Sequence, residues 1–376
     1  MLEELGLQIS QLEKNFSFDP NEVYYYNAQR PKELILALQW RHNNFDVNNV
    51  YKIFERFPKI SKIKNVEVNT SKWTGHVIAF VTTAKGNYVY RQTMNLPVPE
   101  SYMLFEKDII EKYEKINIPS VDILECGSEP WFERQIMKVL PGKNLKEMNL
   151  NKKQYDDITL QIGEIAAKQY HLPMEWRGRI IKENGQLRWY KKTHHDHFTG
   201  YLDYDLSVIG ISEIVDNASI SLLENHLFGD RTQEIFSNTE SYLIDNDLPD
   251  HNVRIHKGKV SAIYDRENAV IFDPICELGS LPTRAFPYPK KQKLIEWFNN
   301  YIQKSWLKGE VDLSHFDEKI ALYFLRTMLR KMPMAIKGNK LSMRHINLFN
   351  EALKDNKLDR HIKVNPEAVK ILVGNR

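Results

Sequence analysis

The sequence is poor in cysteine, in net charge and in long apolar runs, and each shortage excludes a class of protein. Cys126 and Cys276 are the only cysteines among 376 residues, which excludes a disulfide framework and leaves no Cys/His spacing typical of zinc sites. The net charge of +3 gives no electrostatic reason to expect nucleic acid or an anionic membrane as a partner. The longest apolar run, 320–325, is far shorter than the roughly 20 residues that span a bilayer. With no signal-peptide pattern after Met1, we expect a cytoplasmic protein.

The first part of the chain carries the pattern of an antiparallel sheet with one helix. Alternating apolar and polar residues predict five strands, at 64–69, 76–83, 88–92, 121–125 and 131–139. Lys85-Gly86-Asn87 supplies the turn chemistry of a hairpin between the second and third strands. An apolar stripe with helical spacing predicts a helix over 101–115, and the turn at Leu140-Pro-Gly-Lys143 ends the sheet.

The rest of the chain is mainly helical in pattern. Helical periodicity predicts helices at 154–171, 290–307 and 315–330, and a further one near 31–40. One hairpin is embedded among them, with strands at 253–256 and 260–264 around Lys257-Gly258-Lys259.

These patterns predict a bilobal α+β fold, with a small five-stranded antiparallel β lobe and a larger, mainly helical lobe. The predicted boundaries are an N-terminal helical extension at 1–48, the small lobe at 49–140, the large lobe at 141–345 and a C-terminal helical tail at 346–376. No internal repeat or low-complexity stretch interrupts this organisation.

Carboxylates and an amide flank the embedded hairpin. Asp247 and Asn252 precede it, and Asp265 follows it. Phosphoryl transfer uses such a set, because one Asp accepts a hydroxyl proton while an Asn and a second Asp hold Mg²⁺ against nucleotide phosphates. The alternative is a turn that is rich in Asp and Asn for conformational reasons alone.

The order of motifs resembles the catalytic core of the aminoglycoside phosphotransferases and their relatives. Asp245-Asn-Asp-Leu-Pro-Asp-His-Asn252, Val260-Ser-Ala-Ile-Tyr-Asp265 and Asp273-Pro274 resemble that family's H-G-D-x-x-x-x-N, I-D-W or I-D-F, and D-P motifs, and the spacings agree. In the small lobe, Tyr88-Val-Tyr-Arg91 resembles the strand that ends in a phosphate-binding Lys or Arg. Glu106 resembles the family's helix Glu. Further similarity lies in the hinge at 137–142 and the helix at 162–173, so the resemblance covers about 49–345.

This resemblance implies a protein-kinase-like fold and an ATP-dependent or GTP-dependent phosphotransferase that uses Mg²⁺ and acts on an alcohol group. Asp247 would be the catalytic base, and Asn252 and Asp265 the Mg²⁺ ligands. Arg91 would bridge the nucleotide phosphates, oriented by Glu106. The peptide groups of Lys138 and Leu140 would meet the adenine edge. The small lobe would then bind nucleotide, and the large lobe would hold the catalytic residues and the acceptor.

Three features depart from the family pattern. Asp245 stands where the family usually has His, which adds a negative charge beside Asp247. The loop at 70–76 contains a single Gly, where several glycines would let backbone amides approach phosphates. Arg266 follows Asp265 in place of an aromatic residue, which predicts a different packing of this loop. A protein kinase, which should show an A-P-E motif that we do not find, and a catalytically silent nucleotide-binding module are the alternative classes.

Charge distribution bears on the acceptor. Residues 201–281 contain 15 acidic and 5 basic residues, whereas 282–376 contain 19 basic and 9 acidic ones. Six of these cations follow the D-P motif, in the region expected to form the acceptor site: Lys290, Lys291, Lys293, Arg326, Arg330 and Lys331. They favour a neutral or anionic hydroxyl compound, such as a sugar, over an aminoglycoside or choline. The alternative is a solvated basic face.

Two other clusters receive no role. His194-His-Asp-His197 is interpreted as a solvated loop rather than a metal site, because neighbouring residues on a short stretch rarely all point inward. The aromatic residues near 189–190 and 201–204 favour a core over an acceptor pocket.

Overall fold

The computed structural model describes thirteen stretches of the chain, namely 45–57, 59–60, 62–69, 76–93, 102–129, 132–175, 178–183, 186–189, 202–245, 252–266, 269–283, 314–337 and 339–374. They form two compact units. The first comprises the described residues within Met1–Gly142, Ile181–Arg188 and Ser261–Glu267. The second comprises those within Lys143–Ile180, Trp189–Val260 and Asn268–Arg376.

The first unit is built around a five-stranded antiparallel sheet of order β1-β2-β3-β5-β4. Its helices and strands, in chain order, are α1 (Val47–Glu55), β1 (Ile63–Val68), β2 (His76–Thr83), β3 (Asn87–Thr93), α2 (Tyr102–Lys115), β4 (Ile123–Glu129) and β5 (Phe132–Lys138). The predicted sheet with its one helix is therefore confirmed, and the helix α1 is added to it. Strand β4 extends to Glu129, four residues beyond the predicted end.

The two helices cover opposite faces of this sheet. Tyr90 on β3 and Ile136 on β5 are paired across the strands and pack with Ile53 and Phe54 of α1. The neighbouring positions face the other way, because side chains alternate along a strand. Arg91, which follows Tyr90, therefore points toward the face that α2 covers. The α1 face of the sheet thus buries an apolar core, and the α2 face carries both polar residues, such as Arg91, and a smaller apolar cluster.

The second unit contains most of the helices. Its elements, in chain order, are β6 (Lys143–Asn144), α3 (Lys152–Lys168), β7 (Gly178–Glu183), β8 (Gln186–Trp189), α4 (Leu202–Ile211), α5 (Asn217–Phe228), α6 (Asp230–Ser237), β9 (Tyr242–Ile244), β10 (Val253–His256), β11 (Lys259–Ile263), β12 (Val270–Phe272), α7 (Ile275–Ser280), α8 (Phe316–Lys337), α9 (Met343–Asp355) and α10 (Pro366–Gly374). The last residues of β7 and β11 and most of β8 are counted with the first unit. Short 3₁₀ turns follow β6, α3 and α7.

The embedded hairpin is present, and Lys257 and Gly258 form its turn with φ values of +51° and +74°. Two positive φ angles are the signature of the turn that matches strand twist in tight hairpins. The structure adds strands that the pattern did not predict, among them β9 and β12, which pair with each other. Both are three-residue apolar runs, too short for periodicity to identify.

Several predicted features lie outside the described residues. They are the helices at 31–40 and 290–307, the loop at 70–75 and the His194–His197 stretch. Among the described residues, no helix is long and apolar enough to cross a membrane.

Candidate functional site

Six of the seven predicted site residues are described by the structure. Arg91, Glu106, Lys138, Leu140 and Asp265 belong to the first unit. Asn252 belongs to the second. The predicted base, Asp247, lies outside the described residues.

Arg91 and Glu106 form a buried ion pair. Arg91 lies on β3, and its Nη1 donates to Glu106 Oε2 over 2.9 Å. Glu106 lies in the second turn of α2 and is 1% exposed. The strand periodicity that points Arg91 toward α2 brings the two charges together. An isolated buried carboxylate would be strongly unfavourable, so the guanidinium provides the compensating charge.

Glu106 accepts two further hydrogen bonds. The side-chain amide of Gln135 on β5 donates to Oε2 over 2.9 Å, and the backbone N–H of Arg266 donates to Oε1 over 2.8 Å. Gln135 also donates to the backbone carbonyl of Met103, so it ties β5 to the first turn of α2. Glu106 therefore joins β3, β5, α2 and the 264–266 segment in one network.

Asp265 stands at the open end of this network. Arg91 Nη2 donates to Asp265 Oδ1 over 2.6 Å, so one guanidinium bridges two carboxylates. The Asp265 side chain is 34% exposed, in contrast to Glu106. Its backbone has φ of +65°, the left-handed region that residues with a Cβ rarely adopt. A carboxylate that combines a left-handed backbone, partial exposure and a close cation partner suits ligand binding better than core packing.

Arg266 is the residue that sequence reasoning placed least well. It is 1% exposed, and its guanidinium lies 4.3 Å from the centre of the Tyr113 ring. Its Nη2 also donates to the carbonyl of Pro119 over 3.4 Å. The prediction that this loop packs differently from that of the resembled family stays a prediction. Nothing in the local pattern could have identified the contact with Tyr113, since an Arg next to an Asp and a Glu is typical of a solvated loop.

A thiol completes the polar row on this face of the sheet. Arg91, Gln135 and Cys126 are consecutive cross-strand partners, so their side chains share a face. Burial, with a smaller contribution from the charge of Glu106, raises the pKa of Cys126 to about 12. The thiol therefore stays protonated and contributes no charge beside Arg91.

Of the two hinge residues, Lys138 ends β5 and Leu140 lies two positions beyond it. The N–H of Lys138 donates to the carbonyl of Asp122 over 3.1 Å, and its side chain forms an ion pair with the same aspartate. Among the described residues, the Leu140 peptide group makes no hydrogen bond, while its side chain packs beside Ile110, Val121 and Ile123. The predicted contact of these peptide groups with the adenine edge stays a prediction.

In the second unit, Asn252 and Asp245 are both buried. Asn252 immediately precedes β10. Asp245, which replaces the family's His, is fully buried, and its backbone N–H donates to Gln169 Oε1 over 2.9 Å. Within the described part of the chain, no group of three or more His, Cys, Asp or Glu residues could hold a metal ion.

Asp273 of the D-P motif is the centre of a second network. It is 2% exposed and lies near the hydroxyl groups of Tyr170 and Tyr323, at 3.5 and 3.2 Å, and Lys319 Nζ at 3.5 Å. Its Oδ1 also accepts the backbone N–H of Ile275 over 2.9 Å. This carboxylate joins α7, α8 and the 3₁₀ turn that follows α3, and its donors enclose it.

Part of the basic surplus after the D-P motif is used within the second unit. Arg326 pairs with the fully buried Asp205 over 2.7 Å, and Lys331 donates to the carbonyl of Thr283 over 3.0 Å. Lys290, Lys291 and Lys293 lie outside the described residues. The opposite charges of 201–281 and 282–376 thus serve internal pairing in part.

Solved structures of small-molecule phosphotransferases are similar to this chain. A thermostable mutant of aminoglycoside phosphotransferase APH(4)-Ia, in ternary complex with ADP and hygromycin B, is 14% identical with a TM-score of 0.54, and the match covers 83% of this chain and 98% of that one. Macrolide 2'-phosphotransferase MphH from Brachybacterium faecium is 13% identical with a TM-score of 0.53, covering 82% and 98%. A Haemophilus somnus 129PT protein assigned as a fructosamine-3-kinase is 15% identical with a TM-score of 0.52, covering 81% and 96%.

No family model and no curated protein matches the sequence. Identities this low establish the fold and leave the chemistry to be argued from the residues. The predicted α+β, protein-kinase-like fold class is confirmed, with its five-stranded antiparallel sheet and its mainly helical part. The chain therefore shares its fold with solved aminoglycoside and macrolide phosphotransferases.

Proposed function

We propose that the protein is a small-molecule kinase that moves the γ-phosphoryl group of ATP or GTP to a hydroxyl of a sugar-like or other small metabolite. One observation carries the proposal. Arg91 joins a fully buried carboxylate, Glu106, to a partly exposed one, Asp265, on the unit that contains the five-stranded sheet. Binding a phosphate together with a metal requires such an arrangement. A buried carboxylate orients the cation, and the cation contacts a second carboxylate that solvent can reach.

The nucleotide would be bound by the first unit. Arg91 would contact phosphate oxygens, because the planar guanidinium pairs with phosphate and carboxylate at the same time. The Leu140 peptide group, with the carbonyl of Lys138, would meet the adenine edge. The APH(4)-Ia structures contain ADP in one case and AMP-PNP in another, which supports nucleotide use by this fold.

The residues present fit Mg²⁺. Asn252 and Asp265 offer amide and carboxylate oxygens, the ligands that this hard cation prefers. A carboxylate has about four acceptor positions, so the bond from Arg91 does not by itself prevent Asp265 from binding a metal. When bound, Mg²⁺ would neutralise charge on the nucleotide phosphates.

Asp247 would act as the base in the transfer step. The acceptor hydroxyl oxygen forms a bond to the γ-phosphorus while the bond from that phosphorus to the bridging oxygen breaks. The hydroxyl proton passes to the Asp247 carboxylate, and the nucleoside diphosphate leaves. The role of Asp247 rests on the motif resemblance, in which it precedes Asn252 by five positions.

For the acceptor, we propose a neutral or anionic hydroxyl compound. The basic surplus of residues 282–376 supports this choice, although Arg326 and Lys331 are already engaged within the second unit. An aminoglycoside or choline-type acceptor is the rival within the same reaction class. Its cationic groups would need acidic residues in the same region.

A silent nucleotide-binding module is the second candidate, and Asp245 is the observation that favours it. A fully buried carboxylate stands two positions before the proposed base, where the resembled family has His, so the residue beside Asp247 differs in chemistry from that of the family. Nucleotide would then bind without phosphoryl transfer.

Nucleotide titration with and without Mg²⁺, followed by an assay of nucleoside diphosphate release, tests the proposal. We expect Mg²⁺ to tighten ATP or GTP binding and the Asp265→Asn variant to lose most of this effect. Glu111→Gln, which alters an exposed carboxylate on α2 away from the Arg91 network, is the control. Binding without turnover over many acceptors would favour the silent module, and absence of nucleotide binding would contradict both candidates.

A further inference from the structure

We propose that Arg266 is a positioning residue, which holds Asp265 in its metal-binding conformation by packing its guanidinium against Tyr113 of α2. This inference rests on the proposed function, in which Asp265 is a Mg²⁺ ligand. It assigns a role to the residue at which this chain departs from the aromatic side chain of the family motif.

Asp265 needs external support for its backbone. Its φ of +65° places the Cβ atom close to neighbouring backbone atoms, which disfavours this region for residues other than Gly, although Asp and Asn adopt it more often than most. Such conformations persist where the surrounding contacts leave the segment no alternative. Residues adjacent to Asp265 in the chain can supply such contacts, in addition to the bond between its own side chain and Arg91.

Arg266 supplies that support through three contacts. Its backbone N–H donates to Glu106 over 2.8 Å, its guanidinium lies 4.3 Å from the Tyr113 ring centre, and its Nη2 donates to Pro119 over 3.4 Å. The preceding strand is fixed to the same place, because the N–H of Ile263 donates to the Pro119 carbonyl over 3.0 Å. The chain is thus anchored on both sides of Asp265.

These anchors all belong to α2 or to the turn after it. Glu106 and Tyr113 are seven residues apart, about two helical turns, so they lie along one face of the helix. The segment that contains Asp265 is therefore attached to α2 at two positions, Glu106 and Tyr113. A buried guanidinium requires compensation, which the π face of the ring and a carbonyl oxygen provide here. An aliphatic side chain at 266 would keep the backbone bond and lose the other two contacts.

The experiment compares Arg266→Met with Arg134→Met. Arg134 is an equally buried arginine of the same unit, which pairs with Glu125 and Glu129 on the opposite face of the sheet. Two readouts are used: hydrogen exchange of the 263–266 amides, and the Mg²⁺ concentration that gives half-maximal tightening of nucleotide binding. For Arg266→Met we expect exchange at these amides to rise at least tenfold and the Mg²⁺ requirement to rise about tenfold, as is typical of residues that orient a metal ligand.

Arg134→Met is expected to change global stability while leaving both local readouts within twofold of the wild type. Tyr113→Leu should reproduce the effect of Arg266→Met, and Tyr113→Phe, which keeps the ring, should preserve the wild-type values. Combining Arg266→Met with Tyr113→Leu should add little to either change. If Arg266→Met proves too unstable to purify, the Tyr113→Leu and Tyr113→Phe variants test the contact between the guanidinium and the ring.

The inference is overturned if the Arg266→Met and Arg134→Met variants show equal exchange at 263–266, or if Tyr113→Leu leaves that exchange unchanged. The exchange readout needs no ligand. Loss of nucleotide binding in the wild type would therefore contradict the proposed function while exchange still decides whether Arg266 holds Asp265.

Discussion

The two units each bury a carboxylate at the centre of a network, and the networks end differently. Glu106 in the first unit is bonded to Arg91, and through it to Asp265, which is 34% exposed. Asp273 in the second unit is surrounded by Tyr170, Tyr323 and Lys319, all of them buried. The first network reaches solvent and the second does not. The comparison suggests that similar burial serves ligand binding in one unit and stability in the other.

Tyr170 and Tyr323 remain hydrogen-bond donors in the Asp273 network, which we call the closed network because it does not reach solvent. Burial, reinforced by the negative charge of Asp273, raises the pKa of both Tyr170 and Tyr323 well above the ordinary phenol value. Their hydroxyl protons therefore stay in place throughout the pH range in which the protein is handled. Only Lys319 brings a formal positive charge to Asp273 among the described contacts.

Disrupting the closed network should have the largest effect on stability. Asp273→Asn places amide hydrogens against the Tyr323 and Lys319 donors and leaves the lysine charge uncompensated, so we expect the free energy of unfolding to fall by about 3–5 kcal/mol. Urea unfolding followed by circular dichroism measures this change. Asp317→Asn, at an exposed position in the first turn of α8, should change it by less than about 0.5 kcal/mol. A loss below about 1 kcal/mol for Asp273→Asn would show that the network is not structural.

Substitutions in the Glu106 network, which we call the open network because it reaches solvent at Asp265, should change stability less and nucleotide binding more. Glu106→Gln removes the charge behind Arg91 while keeping a similar shape, and we expect it to lower the free energy of unfolding by about 1.5–3 kcal/mol. Nucleotide affinity should fall roughly tenfold, because Arg91 loses the group that orients it. Calorimetric titration with ATP measures this loss. Equal nucleotide affinities for the variant and the wild type would show that the orientation of Arg91 does not contribute to nucleotide binding.

The smallest expected effect concerns the reactivity of Cys126, whose side chain lies beside the open network. With its pKa raised to about 12, Cys126 should carry about a thousandfold less thiolate at pH 8 than an ordinary cysteine, and should react with iodoacetamide correspondingly slowly. Its contribution to stability is fully present below the ordinary thiol pKa of about 8.5 and is lost as the pH rises through about 12. A Cys276→Ser variant isolates this thiol for mass spectrometry. Rapid alkylation of the folded variant at pH 8 would contradict the buried environment.

The sequence predicted the elements whose pattern is local. The meander of β1 to β3, helix α2 and the β10–β11 hairpin follow from alternation, helical spacing and turn residues that lie within a few positions of each other. The pairing of Arg91 with Glu106 was expected from the resemblance, and the structure places these two residues in contact.

Other features depend on partners that are distant along the chain. Gln135 carries no sequence signal for its bond to Glu106, and the burial of Arg266 depends on Tyr113, far away in the sequence. Counting charges could not reveal that Arg326 is paired with Asp205. Tertiary contacts of this kind are set by how elements pack, which composition and periodicity do not encode.

An acceptor panel measured with the wild type and the Asp247→Asn variant tests the central claim most directly. The panel contains sugars, anionic hydroxyl metabolites, aminoglycosides and choline, each with ATP or GTP and Mg²⁺, and mass spectrometry detects the phosphorylated product. The account predicts turnover of a neutral or anionic hydroxyl compound by the wild type and loss of at least about 100-fold in rate for Asp247→Asn. Turnover of cationic acceptors alone would contradict the charge argument. Equal rates for the two proteins, or no product with any acceptor despite nucleotide binding, would contradict the kinase assignment.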